Sequence, residues 1–247
     1  MTDLLLHTLI YTSFAVLPGI IWLLYFLNKD RNPEPKRLIL KVFLIGMIVT
    51  IPVFFIEFGL LSFIQNLNLE NDTFNFIQYF VVVAITEEVF KYLAFRFTAQ
   101  NTQYLDEPID IAMYMIVAAL GFATAENIVL FSQKTFEFLI EPAPLSLIRF
   151  IGANLLHVLC SGIFGFYIAI SFYQTKKRHL YFWSGLSIAV IIHGLFDFFL
   201  KYSIIEKGGE NEWTPVFAIV IALLVVSCVL LNQGIKKLKR IKSVCKI

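Results

Sequence analysis

Long apolar runs alternate along this chain with short polar segments, and the lengths of the runs define its architecture. A bilayer core of about 30 Å is crossed by roughly 20 apolar residues in a helix. Seven stretches meet that length: Leu4 to Leu27, Leu38 to Ile64, Phe74 to Phe97, Ile109 to Phe131, Leu145 to Phe172, Leu180 to Leu200, and Pro215 to Leu231. In lipid only helices and closed barrels satisfy their own backbone hydrogen bonds, and these runs are too long and continuous for barrel strands. The pattern predicts an all-α polytopic helical bundle of seven spans. It reads as one integral-membrane domain over residues 1–247, ending in a basic tail at 234–247, with no internal repeat. Pro52 marks a kink in the second span, because proline removes a helical hydrogen bond.

Composition agrees. Of 247 residues, 58% are hydrophobic and 15% charged, whereas soluble domains carry about a quarter charged residues. Such a chain is not a soluble enzyme, a disordered tail or a nucleic-acid binder. The net charge of +2 matters less than where the charges sit. Lys29, Arg31, Lys36, Arg37 and Lys41 surround the first connection, and Lys176, Lys177 and Arg178 the fifth. The second connection has Glu70 and Asp72, and the fourth sets Lys134 against Glu137 and Glu141. The third, with Arg96 facing Asp106, Glu107 and Asp110, gives no clear vote. Basic loops stay cytoplasmic, so the N-terminus is expected outside and the C-terminus in the cytoplasm of a cell-membrane protein. The first run lacks a basic flank and a small-residue cleavage site, and reads as a retained span, not a signal peptide. The basic residues of the tail read as an anchor at an anionic leaflet. Cys160, Cys228 and Cys245 show no disulfide or metal spacing and read as reduced thiols.

Ionisable groups inside spans are costly unless paired or facing a cavity. Glu57, Glu87, Glu88, Lys91, Glu126, Arg149, His157, His193 and Asp197 are such groups, accompanied by Asn127 and Asn154. Glu87 and Glu88 lie four and three residues before Lys91, so the lysine reaches either carboxylate along one helix flank. The same pair reads as a structural clasp or as the acid/base centre of a site. Small residues at Ala118, Ala119, Gly121, Ala123 and Ala125 let the fourth span approach a neighbour closely and turn Glu126 and Asn127 toward it. His157 shares a stripe with Asn154 and Ser161, while Asp197 follows His193 by one turn and can orient its ring. With the predicted orientation these groups fall between mid-membrane and the outer half on four helices, which argues for one shared polar site. Glu57 and Arg149 either line that site or satisfy a neighbouring backbone, and the structural role is preferred for both.

Carboxylates and histidines gathered inside a bilayer suit the activation of water for peptide hydrolysis. No His-Glu-x-x-His zinc motif and no paired intramembrane Asp appears. A non-catalytic scaffold or sensor, or a proton-coupled transporter, would use the same polar core. The absence of repeat symmetry disfavours the transporter.

The motifs Glu87-Glu-x-x-Lys91, Gly121-Phe-x-x-x-Glu-Asn127, Ser161-Gly-x-Phe-Gly165 after His157, and His193-Gly-x-x-Asp197 follow one another in an order that resembles PrsW-type intramembrane proteases. Asp30-x-x-Pro-Glu-Pro35 and Glu107-Pro-Ile-Asp-Ile111 are also similar to that family. The wider superfamily includes the CAAX prenyl proteases and bacteriocin-processing enzymes; Lys91 and Glu126 stand where its other members carry Arg and His. The resemblance implies site-1 cleavage of a single-span, membrane-anchored substrate of the anti-sigma factor type. It implies Glu87, Glu88, His157 and His193 as catalytic residues, with Lys91, Glu126, Asn127 and Asp197 in support. The label metalloprotease implies Zn2+ or another divalent ion, for which His157, His193 and Glu88 are the candidate ligands. A glutamate base with a histidine oxyanion donor needs no metal, and both chemistries stay open. Oligomeric state is not encoded in any of these motifs.

Overall fold

The computed structural model describes residues 2–28, 32, 34–133, 143–201 and 213–241. Most of the Asp30 turn, the Lys134, Glu137 and Glu141 loop, the Arg149 side chain, the sixth connection and Cys245 lie outside what is described. The described residues form helices and no strand. They are α1 (Thr2–Leu27), α2 (Lys36–Ile48), α3 (Thr50–Gln65), α4 (Asn71–Phe76), α5 (Thr86–Thr98), α6 (Pro108–Gln133), α7 (Ala143–Tyr173), α8 (Arg178–Lys201) and α9 (Trp213–Leu238). A π-helical stretch, Ile77–Ile85, joins α4 to α5, and a 3-10 turn, Thr175–Lys177, leads into α8.

Among the described residues, five helical segments are long and apolar enough to cross a membrane: Lys36–Gln65, Pro108–Leu130, Gly152–Phe172, Thr175–Leu200 and Pro215–Leu238. The chain is a multi-pass membrane protein. Ala15–Leu27 is a shorter apolar helix. The third predicted span, Phe74 to Phe97, is divided between α4, the π-helical stretch and α5, and is not among these segments.

The second predicted span divides at Val49. Pro52 has no N–H to offer the carbonyl of Ile48, and Thr50 Oγ1 donates to Met47 O at 2.6 Å. The third departs from a plain α-helix through the π stretch, where i→i+5 bonding widens each turn. There Phe80 stacks on Phe76, with ring centroids 4.7 Å apart, and its ring fills the notch left by Gly194 on α8.

The central element is α6, buried at every residue from Pro108 to Ala125. Helices α1, α2, α5 and α7 pack around it, and α8 and α9 pack on α7. Two glycines set the α2–α6 crossing. A Cβ at Gly46 would collide with the carbonyl of Ala118, and one at Gly121 with the carbonyl of Phe43. Such backbone-to-backbone contact is the geometry expected of small residues in membrane helices. By contrast, α3 buries only Val53 and Ile64 and presents Phe54, Phe55, Phe58 and Phe63 outward.

Polar contacts tie the first and third connections to one end of the bundle. Tyr114 donates its hydroxyl to Glu34 Oε2 at 2.6 Å, and Asn32 Nδ2 donates to Glu107 Oε1 at 2.7 Å. Asp110 Oδ2 accepts the backbone N–H groups of Asp106 (3.1 Å) and Glu107 (2.6 Å), closing the turn into α6. Lys237 sits over the Phe166 ring near the end of α7. No disulfide joins Cys160 and Cys228.

Candidate active site

Four helices converge on a buried polar cluster whose centre is the Lys91 ammonium. Its three hydrogens meet three acceptors: Glu87 Oε2 at 2.9 Å, Glu88 Oε1 at 2.9 Å and His157 Nδ1 at 2.7 Å. The ammonium also lies 4.6 Å from the centre of the Phe122 ring. A lysine ammonium only donates, so His157 Nδ1 is an acceptor and the neutral ring carries its proton on Nε2. That Nε2 lies 2.9 Å from Glu126 Oε2 on α6. The relay Lys91–His157–Glu126 therefore has a defined polarity.

The adjacent glutamates are in different surroundings. Glu88 is wholly buried and accepts from Lys91, from Ser161 Oγ at 3.1 Å, and pairs with His193 Nδ1 at 3.0 Å. Glu87, one helical step around, faces a cavity of about 600 Å³. Its Oε2 is 3.6 Å from His193 Nε2 and 3.8 Å from His157 Nδ1. His193 Nε2 also lies 3.3 Å from Asp197 Oδ2, so both nitrogens of that ring are held by carboxylates. The two imidazoles stand edge to face, 5.3 Å between centroids.

The cavity brings together Glu87, Glu126, Asn127, His157, His193 and Asp197. Asn127 is buried, and its Nδ2 has no hydrogen-bond partner among the described residues. Asn154 and Ser161, on the same flank of α7 as His157, are fully buried behind it.

One reading from the sequence is corrected. Glu57 of α3, expected to be structural, lines this cavity, and its buried Oε1 has no hydrogen-bond partner among the described residues. Its signal in the sequence was its isolation as the sole ionisable residue of Thr50–Gln65. Phe122 belongs to the Gly121–Asn127 motif, but nothing in the sequence set it beneath Lys91, and the apolar wall of Phe54, Phe55 and Val83 carried no chemical signal there.

A divalent ion has suitable donors here. One atom each from Glu87, His157 and His193 lies within 4.8 Å of the others, and all three residues are buried. The set differs from the sequence expectation, since Glu88 is turned away into its bonds with Lys91, Ser161 and His193. Two imidazoles and one carboxylate form a donor set known from catalytic zinc sites. The surrounding surplus of carboxylates, Glu57, Glu126 and Asp197, suits an added cation. One condition accompanies the fit: the Lys91 ammonium already occupies His157 Nδ1.

These residues fall within the stretch 34–230, which matches a family model described as PrsW family intramembrane metalloprotease. The chain is similar to Protease PrsW of Geobacillus kaustophilus, 31% identical over 189 residues that make up 76% of this chain and 78% of that one. It is 29% identical to Protease PrsW of Bacillus subtilis over 76% of this chain and 81% of the relative. For Protease PrsW of Clostridioides difficile the identity is 26%, over 85% of this chain and 84% of the relative. No solved structure matches the chain significantly. A match over most of the sequence, on a helical membrane bundle with its glutamates and histidines in one buried cluster, places the protein in the PrsW family of intramembrane metalloproteases.

Proposed function

We propose that this intramembrane protease hydrolyses a peptide bond in a single-span, membrane-anchored protein, with Glu87 as the group that activates water. The observation that carries the assignment is the division of labour between neighbours: Glu87 opens onto the cavity, and Glu88 is consumed by Lys91, Ser161 and His193. In this reading Glu87 takes a proton from water as the water oxygen attacks the scissile carbonyl carbon. The oxyanion that forms accepts a hydrogen bond from His157 Nε2–H, which turns from Glu126 to meet it. The proton then passes to the leaving amine nitrogen as the C–N bond breaks, giving one carboxylate and one amine product. Asp197 and Glu88 fix the His193 ring from both sides, and Lys91 holds the two glutamates and His157 in register.

A divalent ion, Zn2+ by the character of the donors, would be held by Glu87, His157 and His193 and would supply Lewis-acid activation of water when bound. Glu126 is then the unligated carboxylate nearest to His157 on the cavity wall. The orientation read from the basic loops, N-terminus outside and seven spans in all, supports cleavage in the outer half of the bilayer, and an anchored substrate of the anti-sigma factor type fits that depth.

The test is cleavage of candidate single-span proteins by the chain reconstituted in vesicles. Glu87→Gln should lower the rate by about 100-fold or more, the scale of a lost general base, and His157→Ala and His193→Ala should also abolish cleavage. Persistence in all three variants would remove the site. Metal content of the purified active protein, measured alongside chelator sensitivity, decides between the two chemistries.

A further inference from the structure

A second cavity, of about 270 Å³, lies between the C-terminal ends of α5 and α7 and the start of α8. Its polar lining is basic or neutral: Arg96, Gln100, Arg178 and His179 face it, and no Asp or Glu lines it. Among the described residues neither guanidinium is ion-paired. Arg96 donates Nη1–H to the Tyr92 hydroxyl at 3.0 Å, which fixes the group on the cavity wall with other N–H donors unspent. The Arg178 guanidinium lies 5.1 Å over the Phe172 ring, a stacking that leaves its N–H edge open to an anion. Arg178 also opens α8, whose positive dipole end adds to the field.

The position selects the source of the anion. The apolar segment Gly152–Phe172 ends at this cavity and Thr175–Leu200 begins there, so it sits where the bilayer core gives way to headgroups. Large apolar side chains flank it on the outside: Phe97 next to Arg96 is 76% exposed, Leu180 60% and Trp183 59%. They offer acyl chains a surface directly below the basic mouth, and tryptophan favours this depth. We propose that this cavity binds the phosphate headgroup of an anionic phospholipid whose acyl chains lie along Phe97, Leu180 and Trp183. The site is separate from the catalytic cavity and shares no lining residue with it.

The probe is phosphatidylglycerol. The full chain, reconstituted in mixed phosphatidylglycerol and phosphatidylcholine vesicles, is re-extracted in mild detergent, and the co-purifying lipid is quantified by mass spectrometry. The wild-type protein should retain phosphatidylglycerol over phosphatidylcholine, and Arg96→Gln with Arg178→Gln should lower that retention several-fold. Gln65→Ala, at the C-terminal end of α3 and lining neither cavity, should leave it unchanged. If the double variant does not fold, Arg178→Gln and His179→Gln as single changes of exposed side chains give the same reading with a smaller loss. Equal retention by wild type and folded variants overturns the proposal. Displacement of bound lipid by millimolar inorganic phosphate, with no preference for phosphatidylglycerol, would overturn the lipid assignment in favour of a soluble anion.

Discussion

At the scale of single residues, Lys91 is the part on which the site most depends. It is fully buried, and every hydrogen it carries is committed. Removing one partner of a buried ion pair strands the other, at a cost of about 3–5 kcal/mol. Lys91→Met should therefore destabilise the protein by that amount, read as a lower unfolding midpoint in detergent, and should also stop cleavage by freeing His157 from its tautomer. A midpoint unchanged from wild type would show that the glutamates do not need the lysine. The sequence displayed the ingredients plainly, since ionisable residues in apolar runs stand out. Their allocation was not legible. Glu87 and Glu88 are identical in type and adjacent, and about 100° of helix rotation decides which meets the cavity. That rotation is set by packing of α5 against α2 and α6 and of the π stretch against α8, not by any local pattern.

At the scale of elements, helix positions followed from apolar length, because lipid leaves the backbone no alternative. The sequence also flagged the break near Pro52. The π stretch escaped, since its residues Ile77–Ile85 are as apolar as any α-helical span and only tertiary contacts such as Phe80 in the Gly194 notch distinguish it. The small residues of α6 were readable as a close-packing face, but not the partner. That partner is α2, and the fit is backbone against backbone at Gly121 and Gly46. Neither neighbour there is a side-chain end that could swing aside. Gly121→Val should cost about 1–3 kcal/mol or more through overpacking. Because Gly121 is less than two turns from Glu126, it should reduce cleavage as well, whereas a change at Gly59, which has open space around it, should do neither. Parallel unfolding and cleavage measurements on the two variants check this.

At the scale of the whole molecule, the basic first connection, the basic fifth and the basic end of α9 were each readable as charge clusters. How two of them are tied into the bundle is tertiary: Glu34 and Asn32 of the first connection meet α6, and Lys237 meets α7. The cavity onto which Glu87 opens has an asymmetric enclosure. Helices α5, α6, α7 and α8 form its buried walls, but Ile51, Phe54 and Phe55 of α3 line it while remaining 55–66% exposed on a helix that buries little else. Hydrocarbon, and not water, is the medium against that wall. Encounter is then a search in two dimensions, and the concentration that governs the reaction is substrate per lipid, not substrate per volume. Adding substrate-free lipid that fuses with the vesicles should slow cleavage in proportion to the added bilayer area, while diluting the same vesicles with buffer should leave the rate per vesicle untouched. A rate that instead followed aqueous volume would mean that substrate arrives from water. Discrimination would then begin with solubility in the membrane, before any side chain of the protein has touched the substrate, so that a soluble chain bearing the same scissile sequence would escape.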